Sequence, residues 1–139
     1  MSFRLEGIQR LPDCTKGILA NEALAVGQLI MNDANGFATA ATAGATNITI
    51  LGVVKVAATG SAVSGAVSVT YTPLPESQWL KGLTDGNPLT DAMMGKLCKL
   101  KDSNTVNTAA SPLAGVVGFK LCKIVDVTNK IAEGYLSIG

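Results

Sequence analysis

Ile48-Thr49-Ile50-Leu51-Gly52-Val53-Val54-Lys55-Val56 is the stretch whose reading decides the fold. On a β-strand successive side chains point to opposite faces, so Ile48, Ile50, Val54 and Val56 share one face while Thr49, Leu51, Val53 and Lys55 share the other. Both faces are largely apolar, which predicts a strand covered on both sides. Further along, Val67, Val69 and Tyr71 alternate with Ala66, Ser68 and Thr70 as a half-buried strand does. Gly95 to Leu100, Val116 to Ile124 and Tyr135 to Ile138 supply a second set of strands.

Those sets belong to two blocks that read as weak copies of each other. Val26-Gly27-Gln28-Leu29 opens the first and Met94-Gly95-Lys96-Leu97 the second, each running into a turn, Asn32-Asp33-Ala34-Asn35-Gly36 and Asp102-Ser103-Asn104. Leu51-Gly52-Val53-Val54-Lys55 is matched by Ala114-Gly115-Val116-Val117-Gly118. Gly65-Ala66-Val67-Ser68-Val69 is matched by Gly134-Tyr135-Leu136-Ser137-Ile138. Glycines ahead of the strands provide positive φ for turns or room for a close backbone crossing.

Composition divides the chain into four regions within one compact domain. Residues 1–23 are the most charged and form an N-terminal arm or an edge strand. Residues 24–71 are the first β block. Residues 72–92, with Pro73, Pro75, Pro88 and Trp79, are a linker or short helical insertion, and residues 93–139 are the second β block. A helix is expected over Glu76 to Leu83, with Pro75 near its N-terminus, and a second helical turn over Thr90 to Met94. The expected fold is therefore all-β: a small β-barrel or β-tulip-like domain of two quasi-repeated blocks with a short helical insertion.

The chain has 139 residues, 47% of them hydrophobic and 15% charged, with a net charge of +1. Aromatic residues make up only 4%, so the core is expected to rest on small aliphatic side chains. No basic run interleaved with aromatics marks a nucleic-acid groove. Lys99 and Lys101 alternate with Cys98 and Leu100, as on a strand with one solvated face. No run of about 18 apolar residues is present to span a membrane. Arg4, Glu6, Arg10, Asp13 and Lys16 leave no hydrophobic signal region at the start, which predicts synthesis in a cytoplasm. Cys14, Cys98 and Cys122 are far apart and read as free, largely buried thiols.

Histidine is absent, which removes His-dependent triads, His-ligated zinc and the commonest general base at neutral pH. Three distant cysteines do not make a four-thiolate zinc site. No GxSxG, Walker A or helix-opening GxGxxG motif is present. The ten carboxylates form no local pair suited to glycoside hydrolysis, and Asp126 and Glu133, which flank one loop, read as solvated. Ala92-Met93-Met94-Gly95-Lys96 resembles the modified-lysine hairpin of biotinyl and lipoyl carriers only superficially, because Gly95 breaks the flanking symmetry. The expectation is a non-enzyme with no cofactor and no metal.

The order of phrases in the second block (a Gly-x-Leu strand, an Asn/Thr turn, a Gly-Val-Val strand, then Gly134-Tyr135-Leu136-Ser137-Ile138) resembles the small capsid decoration, or cement, proteins of tailed bacteriophages. The resemblance covers most of residues 24–139, and residues 72–92 depart from it as an insertion. It implies a non-catalytic virion protein, often trimeric, that binds the outer capsid surface at junctions between major capsid subunits and stabilises the head. The implied partners are the major capsid protein and further copies of this chain, with no nucleic acid and no membrane, and the implied location is the virion. Phe3, Leu5, Ile8 and Leu11, in an N-terminal arm, and Trp79 are the expected interface anchors. For Phe3 to Leu11 the competing expectation is an edge strand packed on its own domain, and for Trp79 a plug between the two blocks. The rival functions are another virion β-module, of tail or head fibre, and a carbohydrate-binding or adhesive module.

Overall fold

The computed structural model describes residues 3–5, 12–46, 49–74, 78–85 and 89–139. Its strands in chain order are β1 (Phe3–Leu5), β2 (Cys14–Gly17), β3 (Ala23–Leu24), β4 (Leu29–Asn32), β5 (Ala38–Ala40), β6 (Ile50–Val56), β7 (Ala58–Thr59), β8 (Ser68–Pro73), β9 (Leu80–Thr84), β10 (Leu97–Leu100), β11 (Thr105–Asn107), β12 (Val117–Asp126) and β13 (Ile131–Ile138). The protein is all-β, and it contains two barrels.

In the first, β2, β8, β6, β4 and β5 lie side by side in a 5-stranded sheet, antiparallel at each contact. A parallel bridge between Ile18 and Ala38, with a bond from the Leu19 N–H to the Ala38 carbonyl (3.0 Å), joins the two edges. The later strands repeat this order as β9, β13, β12, β10 and β11. There β11 meets β9 in parallel and the barrel closes fully. The short β3–β7 pair is a separate sheet whose Leu24 and Ala58 pack on the core of the first.

The duplication holds residue by residue. Leu29 faces Val53 as Leu97 faces Lys120, and Ile30 faces Gly52 as Cys98 faces Phe119. A bulge between Val54 and Val56 against β8 has its counterpart between Leu121 and Lys123 against β13. Gly27 (φ 89°) and Gly95 (φ 87°) sit two residues ahead of β4 and β10, in the left-handed region that glycine occupies without a Cβ clash. Their N–H groups reach across to the carbonyls of Val54 (3.0 Å) and Leu121 (2.6 Å). The opening phrases of the two blocks therefore correspond as read. The other two matched phrases are out of register: Gly52 corresponds to Phe119, and Tyr71 to Gly134.

Each barrel also begins one strand earlier than the composition boundaries. β2 comes from the charged region before residue 24, and β9 from the Pro- and Trp-containing region before residue 93. The helix expected over Glu76 to Leu83 is corrected where it is described. Leu80–Thr84 is a strand with Leu80, Gly82 and Thr84 buried and Lys81 and Leu83 half-buried, a period of two. Ladder pairing on both edges of β9, to β13 and to β1 and β11, overrides its helix-compatible composition. Glu76 and Pro75 lie outside the described residues. The second helical turn is present as a 3-10 turn over Asp91–Met93.

Two apolar clusters organise the interior. Ile18, Leu24, Ile30, Ala38, Val54, Val69 and Tyr71 fill the first barrel. The larger cluster joins Leu80, Cys98, Leu100, Val106, Phe119, Leu121 and Ala132 of the second barrel to Leu29, Ala41, Ala45 and Val53 of the first. β6 is thus covered on both sides, Val54 facing one cluster and Val53 the other. The expectation of a core of small aliphatics fits the first barrel. The second is organised around two phenylalanines, Phe3 and Phe119, whose rings lie 6.0 Å apart at 49°.

Phe3 reaches this core because β1 pairs with β9 and because its N–H bonds to the Gly27 carbonyl (3.0 Å). The Phe3 ring fits because Gly82 carries no side chain, since a Cβ there would lie 3.1 Å from it. At Gly134 a Cβ would first collide with the Lys120 carbonyl of β12 and would also lie 3.0 Å from the Phe119 ring. Phe3→Ala empties a fully buried site and is expected to cost about 3–5 kcal/mol in urea unfolding. Val26→Ala, at an exposed position, is expected to leave the midpoint unchanged.

Candidate interaction surface

Alternation along β13 turns Ala132 and Gly134 inward and leaves Glu133 and Tyr135 on the outer face of the second barrel. Register places Lys81 of β9 and Lys123 of β12 on either side of Glu133, and Lys120 opposite Tyr135. Directly opposed residues of antiparallel strands share a face, so these side chains form one patch. Trp79, just before β9, lies against it: its indole N–H donates to the Glu133 Oε2 (3.2 Å), and its ring centroid is 6.3 Å from that of Tyr135 at 36°. Trp79 retains 36% of its surface. It does not plug the space between the two blocks; it sits outside, held by one hydrogen bond and one ring.

The other expected anchors lie elsewhere. Phe3 is inside the core of its own chain. Leu5 contributes its backbone to β1, and Ile8 and Leu11 lie outside the described residues. Nothing in the sequence marks Tyr135, and Glu133 reads there as a solvated loop carboxylate, because a helix over Glu76 to Leu83 gives Trp79 no ladder partner. With β9 as a strand, the period-two pattern of Glu133-Gly134-Tyr135 places both beside it.

Exposed aliphatic side chains gather at both ends of the β12–β13 ribbon. At one end Leu113 is 74% exposed, and its turn packs on the last strand through bonds from the Gly115 N–H to the Gly139 carbonyl (3.1 Å) and from the Gly139 N–H to the Val116 carbonyl (2.8 Å). Exposed Ile138, opposite Val117, stands beside it. At the other end, Val125 and Val127 project from the hairpin tip. That tip is fixed by Asp126, whose carboxylate accepts from the Asn129 N–H (3.0 Å) and side-chain amide (2.7 Å). These bonds hold the exposed Asp126 carboxyl below its ordinary pKa. Asp126 and Glu133 thus each have a structural partner, Asn129 and Trp79.

Among the described residues no group of three or more His, Cys, Asp and Glu side chains is placed to hold a metal ion. No helix among them is long and apolar enough to cross a membrane. The three cysteines are free. Burial pushes the Cys98 thiol above its ordinary pKa, with Lys96 opposing and Asp85 reinforcing the shift, and burial likewise raises Cys122 against the pull of Lys120. Cys98 and Leu100 are buried while Lys99 and Lys101 keep contact with solvent, as their alternation predicts. No protein-family model, curated protein or solved structure matches the chain.

A buried thiol that stays protonated is a poor nucleophile, since the thiolate is the reacting form. Iodoacetamide at pH 7.5 is expected to label Cys98 only as the protein unfolds, read by peptide mass spectrometry, with Cys14 labelled ahead of it. The sign for stability follows from proton binding. Above the ordinary thiol pKa of about 8.5 the unfolded chain releases a proton that the folded Cys98 retains, so stability falls as pH rises through that range. Cys98→Ala is expected to flatten that part of a urea-midpoint profile against pH.

Proposed function

We propose that this chain is a non-catalytic virion subunit that binds the outer surface of a tailed-phage capsid, at junctions between major capsid subunits, and stabilises the shell. The observation that carries the reading is the pair of exposed aliphatic contacts at the two ends of a stiff ribbon. β12 runs for 10 residues, about 30 Å at 3.3 Å per residue, and separates Leu113 and Ile138 from Val125 and Val127. A bridging protein needs separated contact points on a body that does not deform, and two barrels sharing one apolar cluster supply that body. Weak contacts repeated over a symmetric shell sum through multivalency. The sequence resemblance to decoration proteins supports the same reading, and with it a homotrimer as the working form.

Light scattering followed by co-sedimentation with mature and immature capsids tests the proposal. The expected result is a trimer that pellets only with the expanded shell. Leu113→Ser and Val127→Ser, both at exposed positions, are expected to lower the bound fraction severalfold each without moving the thermal midpoint. A monomer that pellets with neither form sinks the proposal. Deleting residues 1–12 would be a poor test of an arm, because it also removes Phe3 from the second barrel.

A further inference from the structure

The two barrels provide an internal control on what the fold requires. Register assigns each residue of the Trp79 patch a counterpart in the first barrel: Asp13 for Trp79, Thr15 for Lys81, Thr70 for Glu133, Thr72 for Tyr135, Val53 for Lys120 and Val56 for Lys123. At those positions the first barrel carries small polar groups and two valines, Val53 buried in the shared cluster and Val56 exposed, with the Asp13 carboxylate accepting from Thr72 (3.4 Å) and pairing with Lys55 (2.6 Å). The same backbone therefore stands with no aromatic residue at these positions. In the second barrel Trp79 and Tyr135 add nothing to the buried cluster, and the chain's only tryptophan is left on the surface.

We infer that the outer face of β9, β13 and β12 in the second barrel binds a pyranose ring of an anionic glycan, with Trp79 and Tyr135 as the stacking platform. The weakly positive C–H groups of a sugar lie against the negative face of an aromatic ring. The hydrogen bond from the Trp79 indole to Glu133 fixes the platform and sets a carboxylate at its rim to accept sugar hydroxyls. Lys81, Lys120 and Lys123 outnumber Glu133 on this face, so a uronic acid is favoured over a neutral sugar. Aromatic residues serve protein interfaces as well, but lysine and glutamate are depleted at their centres. Three lysines and a glutamate around the rings therefore favour a sugar, which meets each charge with a hydroxyl or carboxylate. The inference is independent of capsid binding.

Because Trp79 is the only tryptophan, fluorescence excited selectively at tryptophan reports on this site alone. The experiment titrates the full chain with tetragalacturonate and with maltotetraose, following fluorescence and, for variants without the indole, calorimetry. The expected result is a saturable change with at least threefold tighter binding of tetragalacturonate. Trp79→Ala is expected to weaken it at least tenfold with an unchanged thermal midpoint, and Lys123→Gln to remove the preference for the acidic sugar while sparing maltotetraose. Equal binding of the two sugars overturns the anionic assignment. No saturable change with either at millimolar concentration overturns the site, as does binding that survives Trp79→Ala. Loss of capsid co-sedimentation in Trp79→Ala without any sugar binding would make the pair a protein contact and overturn the inference, while leaving the capsid proposal standing.

Discussion

Strand β6 has no solvent face through its middle, and the architecture depends on that constraint. Val54 points into the first barrel while its neighbour Val53 points into the cluster shared with the second. A strand apolar on both sides has to be covered twice. The second barrel is what covers it, together with Leu29 on the adjacent strand. Separating the barrels would expose Leu29, Val53, Ala41 and Ala45 along with their partners. The two repeats therefore behave as one domain.

Within that shared frame the copies solve the same packing problem differently. In the first barrel, Gly52 lets β6 approach the β8 backbone at Thr72 and Pro73, and the large side chain is Tyr71 on β8. In the second barrel the large and small residues are exchanged, with Phe119 at the equivalent of Gly52 and Gly134 at the equivalent of Tyr71. Interiors are packed near crystal density, so a ring moved from one strand to its neighbour needs a matching glycine where it lands. The first barrel fills its interior from its own strands together with Ile18 and, from β3, Leu24. The second takes in Phe3, and Gly82 makes room for it.

Much of the fold was legible from local pattern. The double-sided covering of β6, the opening phrases around Gly27 and Gly95, and the free thiols all follow from residue type and pattern. The strict alternation expected along β6 does not hold: across the irregularity opposite Ile30 and Met31, Ile50 joins the cluster of Val53 and Leu51 that of Val54. What the sequence concealed was non-local. Tyr71 and Gly134 occupy equivalent positions while sharing nothing chemically, so similarity of phrases aligned the copies out of register. β9 carries Leu80, Lys81 and Leu83 at helix-compatible spacing, and only its partners on both edges make it a strand. The Trp79 patch was hidden for the same reason, because its members meet across the β9–β13 ladder, 54 residues apart in the case of Trp79 and Glu133.

The position of β1 makes completion of the second barrel depend on a contact between distant parts of the chain. Phe3 lies in the strand that precedes all the others in chain order, yet its binding site is built from β9 and β12, far along the chain. The first barrel can form from residues 14–73 while the opening strand waits, and the second is finished only when that strand comes back to it. Contacts of such sequence separation form slowly, since a long loop must close before they contribute. The N-terminal strand thus acts as a latch, and anything fused to its front would hang beside the last seam to close.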